Sequence, residues 1–411
     1  MNKKFYSFFA TLLLATIITP AFAQLDCSDG RYYNRTYFSA FDTTDNILFG
    51  SGPAVGNGQT QLLKMCVFEP QGDQLAKRPL IVFTFGGSFV TGERTQVYAM
   101  CEEFVKMGYV VAATDYRVGF FFPSEVTTTQ AVVRGMHDMK AAVRYFYKDA
   151  QTVNEFNIDT NYIIVGGVSA GAICAIQTAY LRDNSEIPSY LLNDTAGMGG
   201  VEGLSGNPGF SSKVVGVIGF SGTIGDTAWI NADEAPIVCL HDLGDQTVPY
   251  ATGPIAVGGF PTGLTAHGSG TIIVKTDILN IPNALKTYPG NGHVAYLQGT
   301  QQEWDEAVDF TKEFVADLVC GNASLSVNET LNEKAVSIYP NPSNGAFTIT
   351  FANAAKQNFT GTVTDVMGRK VKTFSTNSEK VNLDCIDLTA GIYSVTVSNA
   401  TQRFTGNVIV K

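Results

Sequence analysis

An apolar run, Tyr162-Ile163-Ile164-Val165, leads directly into Gly166-Gly167-Val168-Ser169-Ala170-Gly171, and Ala172 to Leu181 then reads as a helix. A short apolar run that ends in glycine and turns at once into a helix is a buried strand feeding a tight turn. The glycines flanking Ser169 are there because side chains would collide with neighbouring backbone in so tight a turn. Such a turn lifts the Ser169 hydroxyl to the end of a sheet. It also sets it at a helix N-terminus, where an N–H and the helix dipole favour a developing negative charge.

The surrounding sequence supplies the sheet. Leu80 to Phe85 and Tyr109 to Ala113 are short apolar runs, and Val214 to Phe220, Pro236 to Leu240 and Ala284 to Tyr288 are further strands. Helical spacing marks Ala131 to Tyr147, through Val132, Met136, Met139, Val143 and Tyr147, and Trp304 to Leu318. Continuous apolar strands between helices predict a parallel sheet covered on both faces. Residues 193–212, rich in Gly and Ser, read as an excursion loop.

The pattern changes near Cys320. Residues 321–335 are small and polar and read as a linker. Beyond them Ala346 to Phe351, Gly361 to Val366 and Ile392 to Val397 place apolar residues at every second position, which predicts a small antiparallel β-sandwich over 336–411. The 411 residues thus divide into an export signal (1–23), an α/β domain (24–320), a linker (321–335) and an all-β domain (336–411). The signal is read from Lys3 and Lys4, the apolar stretch Phe8 to Ile18 and the small-x-small pattern Ala21-Phe22-Ala23. No other segment is long and apolar enough to span a membrane.

Charge and cysteine content narrow the function classes. A net charge of -10 provides no electrostatic footprint for nucleic acid or anionic lipid. The four histidines (137, 241, 267, 293) are not at metal-ligand spacing and no Cys-x-x-Cys exists, so neither a metal nor another cofactor is expected. Export places the seven cysteines (27, 66, 101, 174, 239, 320, 385) in an oxidising compartment, and the odd count leaves at least one unpaired within the chain. Cys174 and Cys239 lie in apolar runs and read as small core residues.

Gly167-Val168-Ser169-Ala170-Gly171 is a Gly-x-Ser-x-Gly in the strand–turn–helix context of a nucleophile elbow. With Asp115-Tyr116-Arg117 and Lys140 to Tyr145, it makes the stretch from about 60 to 318 resemble an α/β-hydrolase of the carboxylesterase/lipase superfamily. The resemblance implies a serine esterase with the chain order Ser, acid, His. It implies oxyanion donors from the backbone of Gly87 and Ser88, in Phe85-Gly86-Gly87-Ser88-Phe89, together with Ala170. Two departures stand out: Phe85 replaces the usual His, and Ser88 replaces a third Gly, with a side chain that narrows the acyl pocket.

For the acid, His241-x-x-x-Asp245-x-x-Val248-Pro249 favours Asp245 over Asp242, because a loop rather than a strand end must reach the base. For the base, His293 in Pro289-Gly290-Asn291-Gly292-His293 is favoured over His267, which precedes a further strand or helix. The aromatic residues Phe120-Phe121-Phe122, Trp229 and Phe260 either line a hydrophobic cleft or anchor loops. Val168 stands where larger type-B carboxylesterases carry a Glu.

The C-terminal segment resembles the sorting domain of type IX secretion substrates. The resemblance rests on Tyr339-Pro340-Asn341-Pro342, Asp365 to Val371, Leu388 to Tyr393 and Gly406 to Lys411. It implies type IX secretion machinery as a partner through residues 336–411 and a secreted or surface-attached product. A sugar-binding or adhesion module is the alternative, but the segment has no Trp. For the whole chain the expected activity is hydrolysis of an extracellular ester, short-chain, aryl or feruloyl, acetyl or polyester. A serine peptidase of the same fold and a non-catalytic binding protein are the rivals. N-terminal sequencing of the exported protein should begin at Gln24; a retained Lys3–Lys4 terminus would overturn the cleavage site.

Overall fold

The computed structural model describes residues 25, 27–119, 122–188, 191, 198–321, 332–351, 356–365, 370–399 and 402–411. The expected export signal, most of the expected linker, part of the excursion loop, Phe120 and Phe121, and residues 366–369 of the sorting-domain resemblance lie outside them.

The first domain runs β1 (Phe41–Pro53), β2 (Thr60–Pro70), β3 (Arg78–Thr84), α1 (Tyr98–Lys106), β4 (Val110–Thr114), α2 (Glu125–Gln151), β5 (Ile158–Val168) and α3 (Ala170–Tyr180). It continues with β6 (Gly216–Phe220), β7 (Thr223–Ile224), β8 (Ile237–Asp242), β9 (Thr252–Val257) and β10 (Phe260–Gly268). Last come α4 (Ser269–Ile278), β11 (Asn283–Tyr288), α5 (Ala295–Gln298) and α6 (Gln301–Cys320).

Eight strands form one sheet in the order β1-β2-β4-β3-β5-β6-β8-β11. From β4 to β11 every neighbouring pair is parallel. β1 and β2 depart from the expected parallel pattern and add an antiparallel edge. Every residue of β3, β4, β6 and β8 is buried, which is why these strands read as unbroken apolar runs rather than alternating ones. This is the α/β-hydrolase arrangement.

Helix α2 is longer than the spacing of 131–147 indicates. Ser124 begins it: its hydroxyl accepts from the Thr127 N–H at 3.2 Å, and its own N–H donates to Thr127 Oγ1 at 3.0 Å. Mid-helix, Asp138 is fully buried and accepts from Arg117 at 2.7 Å and from the Arg117 N–H at 2.8 Å. Ser205 Oγ donates to the same carboxylate at 2.6 Å. Three donors compensate the desolvated charge, so the loop after β4 is locked onto α2.

A disulfide joins Cys27 to Cys320, spanning 293 residues. Tyr33 and Arg35 reinforce this clasp, reaching Asp317 and Asp305 on α6 at 2.7 and 2.8 Å. Cys174 and Cys239 are buried, free core residues as expected, as are Cys66, Cys101 and Cys385.

The C-terminal strands are β12 (Asn332–Ala335), β13 (Ser337–Tyr339), β14 (Ala346–Thr350), β15 (Phe359–Asp365), β16 (Lys370–Thr376), β17 (Lys380–Asp384), β18 (Gly391–Ser398) and β19 (Gln402–Val410). They make two sheets, β12-β19-β18-β15-β16 and β13-β14-β17. Phe347, Ile349, Val363, Val395 and Val397, from the alternating runs of the sequence, share one buried cluster with Phe359 and Phe404, which lie outside those runs. β12 begins inside the expected linker and pairs parallel to β19, so the sandwich is not wholly antiparallel.

Non-reducing peptide mapping should recover Cys27 joined to Cys320. Replacing both by Ser should lower stability by about 2–5 kcal/mol in denaturant titration; an unchanged midpoint would show that the clasp is idle.

Candidate active site

The turn after β5 carries the most constrained backbone of the site. Ser169 has φ +55° and ψ -118°, a left-handed conformation that a non-glycine residue adopts at a cost of about 1–3 kcal/mol. A Cβ on Gly167 would stand 2.3 Å from the Gly171 backbone, and one on Gly171 would stand 2.3 Å from Thr84 O. Neither position tolerates a side chain, because strand and helix close on each other there. The Ser169 N–H donates to Phe220 O at 2.7 Å, tying the turn to the end of β6.

The loop after β3 lies against this turn. A Cβ on Gly86 would be 3.2 Å from Ser169 Cβ. Gly87, Ser88 and Phe89 all have positive φ, at +113°, +54° and +61°. At Gly87 a Cβ would also strike Thr91 O at 2.0 Å. The Gly87 carbonyl accepts from the Val90 and Thr91 N–H groups at 2.9 and 3.2 Å. The N–H groups of Gly87, Ser88 and Ala170 donate to nothing among the described residues, and Ser88 and Ala170 line the same cavity as Ser169. Phe85, in the place of the usual His, is buried and stacks on Tyr116 at 4.4 Å between ring centroids.

Asp245 and His293 arrive on the loops after β8 and β11, neighbouring parallel strands. The loops are stitched together: Leu243 N–H donates to Tyr288 O at 2.8 Å and Gly244 N–H to Gly290 O at 2.9 Å. His293 Nδ1–H donates to Asp245 Oδ2 at 2.7 Å, and its Nε2 lies 2.7 Å from Ser169 Oγ, placed to accept the hydroxyl proton. The other Asp245 oxygen accepts from the Thr247 and Val248 N–H groups at 2.8 and 2.9 Å. Burial alone would raise the Asp245 pKa; hydrogen bonds from His241, His293 and the Val248 N–H outweigh it and hold the carboxyl well below its ordinary range.

The competing residues take other places. Asp242 accepts from the Ala295 N–H at 3.1 Å, and burial raises its pKa. His267 lies in β10, where its Nδ1 is 2.8 Å from Thr252 Oγ1. His241 is fully buried with Nε2 3.5 Å from Asp245 Oδ2 and 3.1 Å from Val248 O, a supporting partner for the acid. Because a carbonyl accepts there, Nε2 carries the proton, and Nδ1 accepts from Ser269 Oγ at 2.8 Å. Its four-residue spacing from Asp245 was the available signal.

A cavity of about 190 Å³ opens beside Ser169, between α2, α3 and the β9–β10 hairpin. The hairpin went unread in the sequence. Among the loop aromatics Trp229 lines this cavity, whereas Phe122 and Phe260 are 88% and 66% exposed and do neither of the things expected of them.

Residues 65–223 match the BD-FAE family, and residues 337–411 match the secretion system C-terminal sorting domain. No curated protein matches the chain. Among solved structures, Thermogutta terrifontis esterase 2 phosphorylated by paraoxon is 21% identical with a TM-score of 0.50, covering 68% of this chain and 95% of that one. The same esterase phosphoramylated by tabun gives the same values, and its apo form is 21% identical at a TM-score of 0.49, over 69% and 96%. At this identity the likeness to the paraoxon and tabun adducts shows the α/β-hydrolase fold.

The depressed Asp245 pKa carries a stability consequence. Its contribution is complete above the unfolded value, about 3.9, and is lost as pH falls from there through the lower folded value. Thermal melts should therefore show the gap between wild type and Asp245→Asn narrowing from pH 5 downward; a gap independent of pH would contradict it.

Proposed function

From a chain that joins an α/β-hydrolase domain of the esterase type to a C-terminal sorting domain, we propose an exported serine esterase in which Ser169, His293 and Asp245 carry out two-step acyl transfer. The observation that carries this reading is the continuous hydrogen-bond path from Asp245 through His293 to Ser169, with 2.7 Å at each link, beside a cavity.

His293 takes the Ser169 proton as the oxygen attacks the ester carbonyl. Asp245 holds the Nδ1–H tautomer and stabilises the imidazolium that forms. The unused N–H groups of Gly87, Ser88 and Ala170 receive the oxyanion, as donors that need no reorganisation when charge develops. His293 returns its proton to the leaving alcohol. Water, activated by the same imidazole, then releases the acid and restores Ser169. The positive φ of Ser169 keeps its hydroxyl clear of the backbone and within reach of both imidazole and substrate.

The same reading assigns residues 24–320 to catalysis and 336–411 to export through type IX machinery, the tail then being removed or exchanged for an anchor. That address supports an extracellular substrate, and the acyl-transfer site supports a carboxylic ester. The test is hydrolysis of p-nitrophenyl esters from acetate to palmitate. Ser169→Ala and His293→Ala should abolish it, and Asp245→Asn should lower kcat by about 10⁴-fold through the wrong imidazole tautomer. Cleavage of aminoacyl anilides without ester hydrolysis would support a peptidase instead, and neither activity in the folded protein would support a binding role.

A further inference from the structure

Helix α2 stands between two cavities. Thr128, Thr129, Val132 and Val133 line the one beside Ser169. Gln130, Arg134 and His137, one turn apart from each other, line a second of about 350 Å³. The end of β1 and the turn after it, Ser51 to Gly56, form another wall, and Met198, Leu204 and Ser205 complete it. The two linings share no residue.

Arg134 is unlike the other arginines of its domain. Of the eight between residues 24 and 320, seven lie within 3.4 Å of a carboxylate, and Arg134 does not. Its Nη2 donates to Gly119 O at 2.6 Å and its Nε to Arg117 O at 3.4 Å, both neutral carbonyls. Asp138, one turn further along α2, is already taken by Arg117 and Ser205. Burial and the like charge of Arg117 push the Arg134 pKa down to about 10, against the pull of Asp138. A desolvated guanidinium is ordinarily paired. Nη1 of Arg134 has no acceptor among the described residues. Unlike the sealed, unpaired Nε atoms of Arg31 and Arg78, it keeps contact with solvent, and Arg134 borders this cavity.

We propose that the cavity is a second ligand site, in which Arg134 binds the carboxylate of a singly charged ligand whose apolar body lies against Val55 and Leu204. A planar carboxylate matches the guanidinium fork. Among the described residues no Asp or Glu lines the cavity to oppose it. The charge available is one. Arg117 is matched by Asp138, and His137 stays neutral because burial lowers its pKa to about 4. Pro53, Ala54, Val55, Met198 and Leu204 supply the apolar wall. The assignment does not depend on the role of Ser169.

The experiment irradiates the full-length protein with a hexanoic acid carrying a diazirine on its chain, and separately with the corresponding primary amide. Peptide mass spectrometry then locates the label. The acid should label peptides containing Val55 or Leu204 saturably. At low concentration it should do so about 10- to 100-fold more than the amide, the range set by a charge-assisted hydrogen bond. Unlabelled hexanoate should compete, and inorganic phosphate, which has no apolar body, should not at the same concentration. Arg134→Gln should bring acid and amide to one level. Arg134→Lys, a point charge without the fork, should fall between. Thermal melts check that both variants fold; if Arg134→Gln does not, the acid-to-amide ratio in wild type decides alone. Equal labelling by acid and amide, no label on either peptide, competition by phosphate, or an undiminished ratio in folded Arg134→Gln overturns the site.

Discussion

The left-handed turn at Ser169 is the constraint on which the rest of the site depends. A strand and a helix can approach closely enough to expose a side chain between them only where the flanking residues lack Cβ atoms, and Gly167 and Gly171 provide that closeness at 2.3 Å. The same closeness brings Gly86 against Ser169, so the loop that presents free N–H groups is positioned by the turn it serves. Backbone strain of about 1–3 kcal/mol at one residue is offset by the buried sheet on either side, where β3 and β6 contribute no exposed residue.

A second dependence links residues far apart in sequence. Asp245 and His293 lie on loops after adjacent parallel strands, β8 and β11, and backbone hydrogen bonds join those loops before any side chain is considered. Asp245 then accepts from two backbone N–H groups as well as from His293, and the buried His241 stands behind it. A carboxylate so heavily hydrogen-bonded stays charged and held in place, which suits the imidazole-orienting role proposed for it.

How much of this was legible in the sequence follows from how local each signal is. The elbow was legible because strand, glycines and helix are contiguous. The buried strands were legible because parallel pairing hides both faces. The sandwich was legible from alternation at Phe347 and Ile349 and at Val395 and Val397. The hairpin of β9 and β10 was not, since its pairing shifts register between Pro261 and Thr265 and its glycines interrupt any alternation. The partner of Cys27 could not be read, for Cys320 becomes its neighbour only when α6 is in place. Phe122 and Phe260 show the limit of composition: an aromatic residue in a loop can face solvent as easily as a cleft. The unpaired charge of Arg134 was beyond reach, because a missing partner is a property of the surroundings.

The most direct measurement of the central claim is to react the folded protein with an alkyl fluorophosphonate, follow ester hydrolysis, and locate the adduct by peptide mass spectrometry. The account predicts one phosphonyl group per chain, on the peptide containing Ser169, acquired in step with loss of activity and strongly slowed in His293→Ala. Full activity with Ser169 phosphonylated, or inactivation with the adduct on another residue, would contradict it.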